Sequence, residues 1–363
     1  MRVLLAAPAS GPAGGICRWT NHIRAYYNAL ADKQVSLDIY DLARSEFIPD
    51  DISLIPRLRL ALKDYRAILR GFKSALSCNK YDVVHITSSA GLGLVRDLLM
   101  IRMAHKKGIK SIVHFRFGRI PQLFEQKNWE FHLLSKVVRK VDKVIVIDKN
   151  SYETLKKNGY TNIDLLPNPL APGVMQTISK IGAINRESRM LLFVGHCIAT
   201  KGVLELVQAC RGISNIRLRL IGAIPNDVRE QLLEISYHED WLEIMGEQPY
   251  DEVIHHMLSC DIFVLPTYTE GFPNVILEAM ACGCAIVSTP VGAIPEMLEV
   301  ENDKQYGLLV PPKSIEPLRD AILTFLNNPQ LSDNCGRNAR ERVNERYTMD
   351  AIWGKMVEIW KNA

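Results

Sequence analysis

Glu270 and Glu278 stand eight residues apart in the run Glu-Gly-Phe-Pro-Asn-Val-Ile-Leu-Glu-Ala-Met-Ala-Cys-Gly, residues 270–283. The Gly, Pro and Asn between them are the residues of a tight loop that becomes a helix start. The apolar run Ile262-Phe263-Val264-Leu265 before it reads as a buried strand, and Val275 to Ala281 reads as a helix. Strand, loop and helix then follow in order, with Glu270 in the loop and Glu278 one turn into the helix. The free N–H groups around Phe272 to Val275 and the positive end of the helix dipole suit an anion. A second feature of the same kind lies upstream, where Phe193-Val194-Gly195 ends a strand and Lys201-Gly202 opens the next helix. A lysine beside a helix N-terminus at a strand's carboxyl end can hold phosphate as a point charge; a solvated surface lysine is the plain alternative.

The elements that must position these groups alternate along the whole chain. Val3 to Ala7 is an apolar strand that runs into Pro-Ala-Ser-Gly-Pro-Ala-Gly-Gly and a helix over about 16–30. That order opens a doubly wound sheet. Further strands are expected at 35–40, 82–86, 111–115 and 143–147, with helices near 55–78, 91–107, 128–141 and 149–158. The Pro- and Gly-bearing segment from Leu165 to about Ser188 reads as a linker. A second series follows, with strands near 190–195, 216–221, 242–245, 261–265, 285–288 and 307–310. Two α/β domains are implied, 1–175 with a C-terminal helix 349–363, and 176–348. In that last helix Ile352, Trp353, Met356, Ile359 and Trp360 recur at helical spacing and read as core.

Composition bounds the function. The chain has 363 residues, 47% hydrophobic and 23% charged, with apolar runs far short of a membrane span. No transmembrane segment or signal-peptide core is expected, which places the protein in the cytoplasm. Eight cysteines are scattered without a C-x-x-C pair and read as reduced thiols, and nine histidines show no metal-ligand spacing. No metal or cofactor is expected. The net charge of +4 is unevenly spread: residues 1–180 carry 28 Lys and Arg against 15 Asp and Glu, and residues 181–363 carry 16 against 25. The first half thus favours an anionic partner. Within it, Ile55, Leu58, Leu62, Tyr65, Leu69, Phe72 and Leu76 form a helical stripe flanked by Arg57, Arg59, Lys63, Arg66, Arg70 and Lys73. Either this is a domain helix with a charged outer face, or its basic surface also rests on anionic lipid.

Taken together, Gly195, Lys201-Gly202, the strand to Pro266, Glu270 with Glu278, then Gly292 and Glu296, resemble the signature of the retaining glycosyltransferases of family four, "glycosyl transferases group 1". The resemblance covers nearly the whole chain, is most specific in 270–283 and is weakest over 40–79. It implies the GT-B architecture, α/β, of two facing Rossmann-like doubly wound domains with a C-terminal helix returning to the first. It implies that Glu278 grips the ribose of a nucleotide, that Glu270 faces the donor sugar, and that Lys201 lies on the diphosphate. Gly195, His196, Gly271, Phe272, Pro273, Asn274 and Val275 would complete the donor site. In the first domain, Gly14-Gly15 matches a loop approaching the diphosphate and acceptor, and His114 a histidine at the reaction centre. Where the family has an arginine after Gly195, this chain has His196, charged only in part at neutral pH. Either His196 binds phosphate when protonated, or Arg18 and Arg116 compensate. His85, at another strand end, reads as structural.

The implied activity is metal-independent transfer, with retention, from a nucleoside-diphosphate sugar, UDP before GDP, to a hydroxyl of a glycan. That glycan is expected on a polyprenyl-phosphate lipid at the inner face of the cytoplasmic membrane, in polysaccharide or cell-envelope synthesis. A nucleotide-sugar epimerase of similar architecture and a non-catalytic sugar-nucleotide-binding module are the alternatives. Nucleic-acid binding would rest on the basic half alone, without aromatic–basic interleaving, and is not expected.

Overall fold

The computed structural model describes residues 1–10, 14–43, 54–237, 239–298 and 303–363, with the side chains of 54–62 outside the description. The chain divides into two compact units, Met1–Pro167 with Trp353–Ala363, and Asn168–Ile352.

Unit 1 holds strands β1 (Arg2–Ala7), β2 (Ser36–Asp41), β3 (Val83–Ser88), β4 (Lys110–Phe115), β5 (Lys143–Val146) and β6 (Ile163–Leu165). They form one sheet in the order β2-β1-β3-β4-β5-β6, every pair parallel. Parallel strands covered by helices on both faces need apolar side chains on both, and β1 and β3 are buried almost end to end. The chain leaves β1 to build β2 on one side and resumes at β3 on the other. The crevice beyond the carboxyl ends of β1 and β3 is therefore the switch point where such sheets take ligands.

Unit 2 repeats the plan with β7 (Met190–Val194), β8 (Arg217–Ile221), β9 (Leu242–Gly246), β10 (Ile262–Leu265), β11 (Ala285–Ser288) and β12 (Leu308–Leu309). The order is β12-β11-β10-β7-β8-β9, again parallel throughout. Its switch point lies between β7 and β10. The loops leaving those two strands carry Gly195 to Gly202 and Pro266 to Pro273, which brings the two chemical stretches of the sequence to one place.

The expected linker is only partly a linker. Val174–Ile181 is a helix that buries Val174 and Ile178, entered after Gly173 and left through Gly182 at φ 77°. Eight residues with two buried positions are too few for periodicity to declare a helix. The units divide at Pro167/Asn168, earlier than 175/176. Beyond Pro167 the chain already bonds within unit 2: the Leu170 N–H donates to the Tyr347 carbonyl at 2.7 Å. The three-residue edge strand β6 and the short helix Ile120–Gln126 are further elements that the sequence pattern did not announce.

The last helix is Met349–Lys361, and residues Trp353–Ala363 belong to unit 1. Its stripe is core: Ile352, Trp353, Met356, Ile359 and Trp360 are all buried. The basic helix is Leu54–Cys78. Phe72 and Leu76 are buried in the core of unit 1, and Lys63, Arg66, Arg70 and Lys73 are exposed. The side chains of Ile55, Arg57, Leu58, Arg59 and Leu62 lie outside the described residues.

Candidate functional site

In unit 2 the site begins with the turn after β7. Gly195 closes the strand, His196 is exposed, and the chain makes a 3-10 turn, Ala199–Lys201, before the helix Val203–Cys210. Gly202 joins turn to helix in the left-handed conformation, φ 72°, and a Cβ on it would stand 2.1 Å from the Pro266 carbonyl oxygen. Only glycine permits that approach. The contact presses the turn against the loop leaving β10, and the Tyr268 N–H donates to the Thr200 carbonyl at 2.9 Å.

The consequence is an ion pair. Lys201 Nζ donates to Glu270 Oε1, with the two side chains 26% and 17% exposed. The two residues for which the resemblance implies separate duties, phosphate and sugar, are therefore direct partners. The pair holds both charged heads in place.

A second glycine supports Glu270 from behind. Gly292 sits at φ 57°, where a Cβ would meet the Glu270 carbonyl oxygen at 2.3 Å and that of Gly271 at 2.5 Å. The neighbouring Ala293 N–H donates to the Gly271 carbonyl at 2.9 Å. Gly292→Ala is expected to lower the unfolding free energy by about 2 kcal/mol or more, the cost of a left-handed alanine with a clash added. Urea denaturation checks this; an unchanged midpoint would mean the crossing loop yields freely.

The helix that follows is Asn274–Ala281. It is preceded by Pro273, whose side chain caps nothing, so the first-turn N–H groups of Asn274 and Val275 have no intrahelical acceptor. Asn274 is not the cap its type suggested. Its Oδ1 accepts instead from Asn168 Nδ2 at 3.2 Å, and the same amide reaches the Phe272 carbonyl at 3.4 Å. Asn168, buried between two prolines, thus ties down the 272–274 backbone. Its role depends on a partner more than 100 positions away and left no local signal. Phe272 is buried edge-on against Tyr347. Glu278 lies one turn into the helix, partly exposed, with the Tyr250 hydroxyl donating to Oε1 at 3.3 Å. Unit 2 therefore gathers Lys201, Glu270, Gly271 and the N-terminus of the Glu278 helix about its switch point, with His196 exposed on the turn after β7.

Gly14, Gly15 and His114 belong to unit 1. Gly14 precedes the helix Gly15–Ala29 and both glycines are exposed. A Cβ on either would meet nothing within 4 Å among the described residues. Arg18 and Arg116, the residues expected to compensate for His196, are also in unit 1.

His114 on β4 and His85 on β3 are both fully buried, with His85 Nε2 3.2 Å from His114 Nδ1. Burial, then the nearby Arg116 charge, lowers His85 to about 3 and pushes His114 well below its ordinary value. Both rings are neutral when folded. An unfolded chain takes up protons below about 6.5, so this contribution is complete above that pH and is lost as the pH falls towards 3. From about pH 6.5 down to about pH 5, wild-type stability is expected to fall more steeply than that of a His85→Gln/His114→Gln variant. The difference in slope rises from about 0.7 kcal/mol per pH unit for each histidine at pH 6.5 towards about 1.4 near pH 5. Parallel slopes in chemical denaturation would contradict buried neutral rings.

Among the described residues no group of three His, Cys, Asp or Glu side chains is placed to hold a metal ion, and no helix is long and apolar enough to cross a membrane.

Two parallel-sheet Rossmann-like units, each with its loops at a switch point, define the GT-B class of α/β fold. Comparison with solved structures agrees. The fold is similar to sucrose-phosphate synthase from Thermosynechococcus elongatus, with a TM-score of 0.75 over 99% of this chain and 98% of that one at 18% identity. It is also similar to Anabaena HepE, solved in complex with UDP, with a TM-score of 0.71 over the full length of both chains at 16% identity. Residues 174–342 match the model of the family described as glycosyl transferases group 1. An uncharacterized glycosyltransferase of Methanocaldococcus jannaschii is 31% identical over 166 residues, 46% of this chain and 45% of that protein. The capsular polysaccharide biosynthesis glycosyltransferase CapM of Staphylococcus aureus is 27% identical over 180 residues, 46% of this chain and 44% of CapM. These alignments span less than half the length of the relatives they match.

Proposed function

We propose that this chain is a retaining, metal-independent glycosyltransferase that moves a sugar from a nucleoside-diphosphate donor, UDP before GDP, to a hydroxyl of a glycan in polysaccharide or cell-envelope synthesis. The observation that carries the reading is the meeting of Lys201, Glu270 and the open helix start at Asn274 about the switch point of unit 2. The family match over 174–342, the kinship with CapM and the fold shared with a UDP-bound protein support it.

In the proposed reaction the bond between the sugar C1 and the phosphate oxygen breaks, leaving positive charge on the ring and negative charge on the departing diphosphate. The acceptor hydroxyl attacks C1 from the face the diphosphate leaves, and its proton passes to the leaving phosphate oxygen. Lys201 and the N–H groups near Phe272, Asn274 and Val275 stabilise the diphosphate where its charge grows. Glu270, held by Lys201, accepts hydrogen bonds from the sugar beside the oxocarbenium-like centre, and Glu278 accepts from the ribose. Gly195, His196, Gly271 and Pro273 shape the donor loops. A thermal-shift screen of nucleotide sugars tests the reading, because a bound donor at about 100 times its Kd stabilises by about 2.7 kcal/mol. UDP and a UDP-sugar should raise the Tm; no response to any nucleotide sugar would overturn it.

For the acceptor we propose a polyprenyl-phosphate-linked glycan, with the protein peripheral at the inner face of the cytoplasmic membrane. The support is the row of exposed cations Lys63, Arg66, Arg70 and Lys73 on a helix whose apolar side is used by the core. Each cation near an anionic surface contributes about 1 kcal/mol. Reversing Arg66, Arg70 and Lys73 to Glu is expected to weaken binding to phosphatidylserine-containing vesicles by about 100-fold or more, with the Tm unchanged. Unaltered vesicle binding would leave the helix a purely structural element.

A further inference from the structure

Trp360, in the segment of the last helix that belongs to unit 1, donates its indole N–H to His85 Nδ1 at 2.9 Å. His85 Nε2 faces His114 Nδ1 at 3.2 Å, and His114 Nε2 faces Arg116 Nη1 at 3.3 Å. Trp360, His85 and His114 are all buried. The strand register explains the meeting: Thr87 pairs with His114, so His85, two residues before Thr87, projects to the same face as His114.

This row has a donor at both ends, since an indole N–H and a guanidinium N–H can only donate. Two neutral imidazoles between them, each with one donor and one acceptor, can satisfy one end and not the other. In the first polarity Trp360 donates to His85, His85 Nε2–H donates to His114 Nδ1, and the His114 proton sits on Nε2, facing Arg116. In the reverse polarity Arg116 is satisfied and the indole N–H meets His85 Nδ1–H. Geometry decides between them. The Trp360 contact is the shorter, and Trp360 is 1% exposed. Arg116 is partly exposed and lies over the Trp19 ring at 4.3 Å, where its guanidinium can turn to another acceptor. An unmet buried N–H costs more than an unmet group beside solvent.

We propose that Trp360, acting through His85, locks His114 into the tautomer that carries its proton on Nε2. Trp360 and His85 are then positioning residues, and His114 is a fixed N–H donor rather than a base. Its Nε2–H and the Arg116 Nη1–H converge as two donors that cannot satisfy each other, while Arg116 Nε is itself buried without a partner. The geometry therefore awaits one oxygen acceptor. On the transferase reading, a substrate hydroxyl or phosphate oxygen supplies it. The C-terminal segment thereby fixes the chemistry of a strand residue remote from it in sequence.

The test is long-range nitrogen–proton NMR of protein labelled with nitrogen-15 histidine, which reads each ring's tautomer without any substrate. In the wild type His85 and His114 should both show the Nε2–H pattern. Trp360→Phe keeps an aromatic ring but removes the N–H, and His114 should lose its single-tautomer pattern. His85→Gln preserves the order of the relay, its amide oxygen accepting from Trp360 and its amide N–H donating to His114, so His114 should keep Nε2–H. His85→Leu should abolish that preference, and this pair decides the matter should Trp360→Phe not fold. An Nδ1–H pattern for His114 in the wild type, or an unchanged Nε2–H pattern in both Trp360→Phe and His85→Leu, would overturn the proposal. Because no donor or acceptor is present, such a failure would leave the glycosyltransferase reading untouched.

Discussion

Lys201→Ala is expected to lower the turnover number for sugar transfer by about 10²- to 10³-fold, the cost of removing one preorganised group from a developing anion. The lysine lies at the end of the 3-10 turn Ala199–Lys201, immediately before Gly202 and the helix Val203–Cys210. On the proposed reading its cation and the helix N-terminus act on the same oxygens. Charge on the diphosphate grows as the C1–O bond breaks, so the loss should appear mainly in kcat, with a smaller change in donor KM. The ion pair adds a second consequence. Without Lys201, Glu270 is left partly buried without its cation, so Lys201→Ala and Glu270→Gln are expected to be non-additive. A double-mutant cycle on kcat checks both points. Full transfer by Lys201→Ala would remove the lysine from the phosphate role.

Glu278→Ala should act on binding instead. A carboxylate that accepts hydrogen bonds from two ribose hydroxyls contributes about 1.5–3 kcal/mol, so the Kd for UDP is expected to rise by about 10- to 100-fold. On the proposed reading the ribose is held alike before and during bond breaking. KM should therefore rise with kcat nearly unchanged, the opposite pattern to Lys201. Glu278 is partly exposed on the helix Asn274–Ala281, so its loss leaves no buried hole and the protein should remain folded. Calorimetric titration with UDP reads the effect directly. An unchanged affinity would show that the ribose is held elsewhere.

What the sequence made legible was local. Ile262 to Ala281 reads as strand, loop and helix because the apolar run, the Gly-Pro-Asn loop and the helical periodicity are all contiguous, and β10 and the helix Asn274–Ala281 stand where they should. The two series of strands were legible for the same reason. The contact between Lys201 and Glu270 was not, because those residues are 69 apart and meet only where β7 and β10 become neighbours. Gly292 and Asn168 illustrate the same limit. A glycine's need for a left-handed turn under another loop, and an amide's grip on a distant backbone, are properties of the crossing chains and not of their own neighbourhoods. The helix Val174–Ile181 failed for another reason: it is short, and its flanking glycines look like linker. Trp360 was rightly read as core, but its apolar stripe concealed a polar contact with His85.

On the proposed reading, the Lys201 and Glu270 site breaks a sugar–diphosphate bond and keeps the configuration at C1. Proton and phosphorus NMR of the UDP-sugar that most raises the Tm, followed in time with the protein and no acceptor, tests this most directly. The expected result is slow release of UDP, with the free sugar appearing first as the same anomer as in the donor, both lost in Lys201→Ala. Release of the opposite anomer, or conversion of the donor to its epimer with UDP still attached, would contradict it.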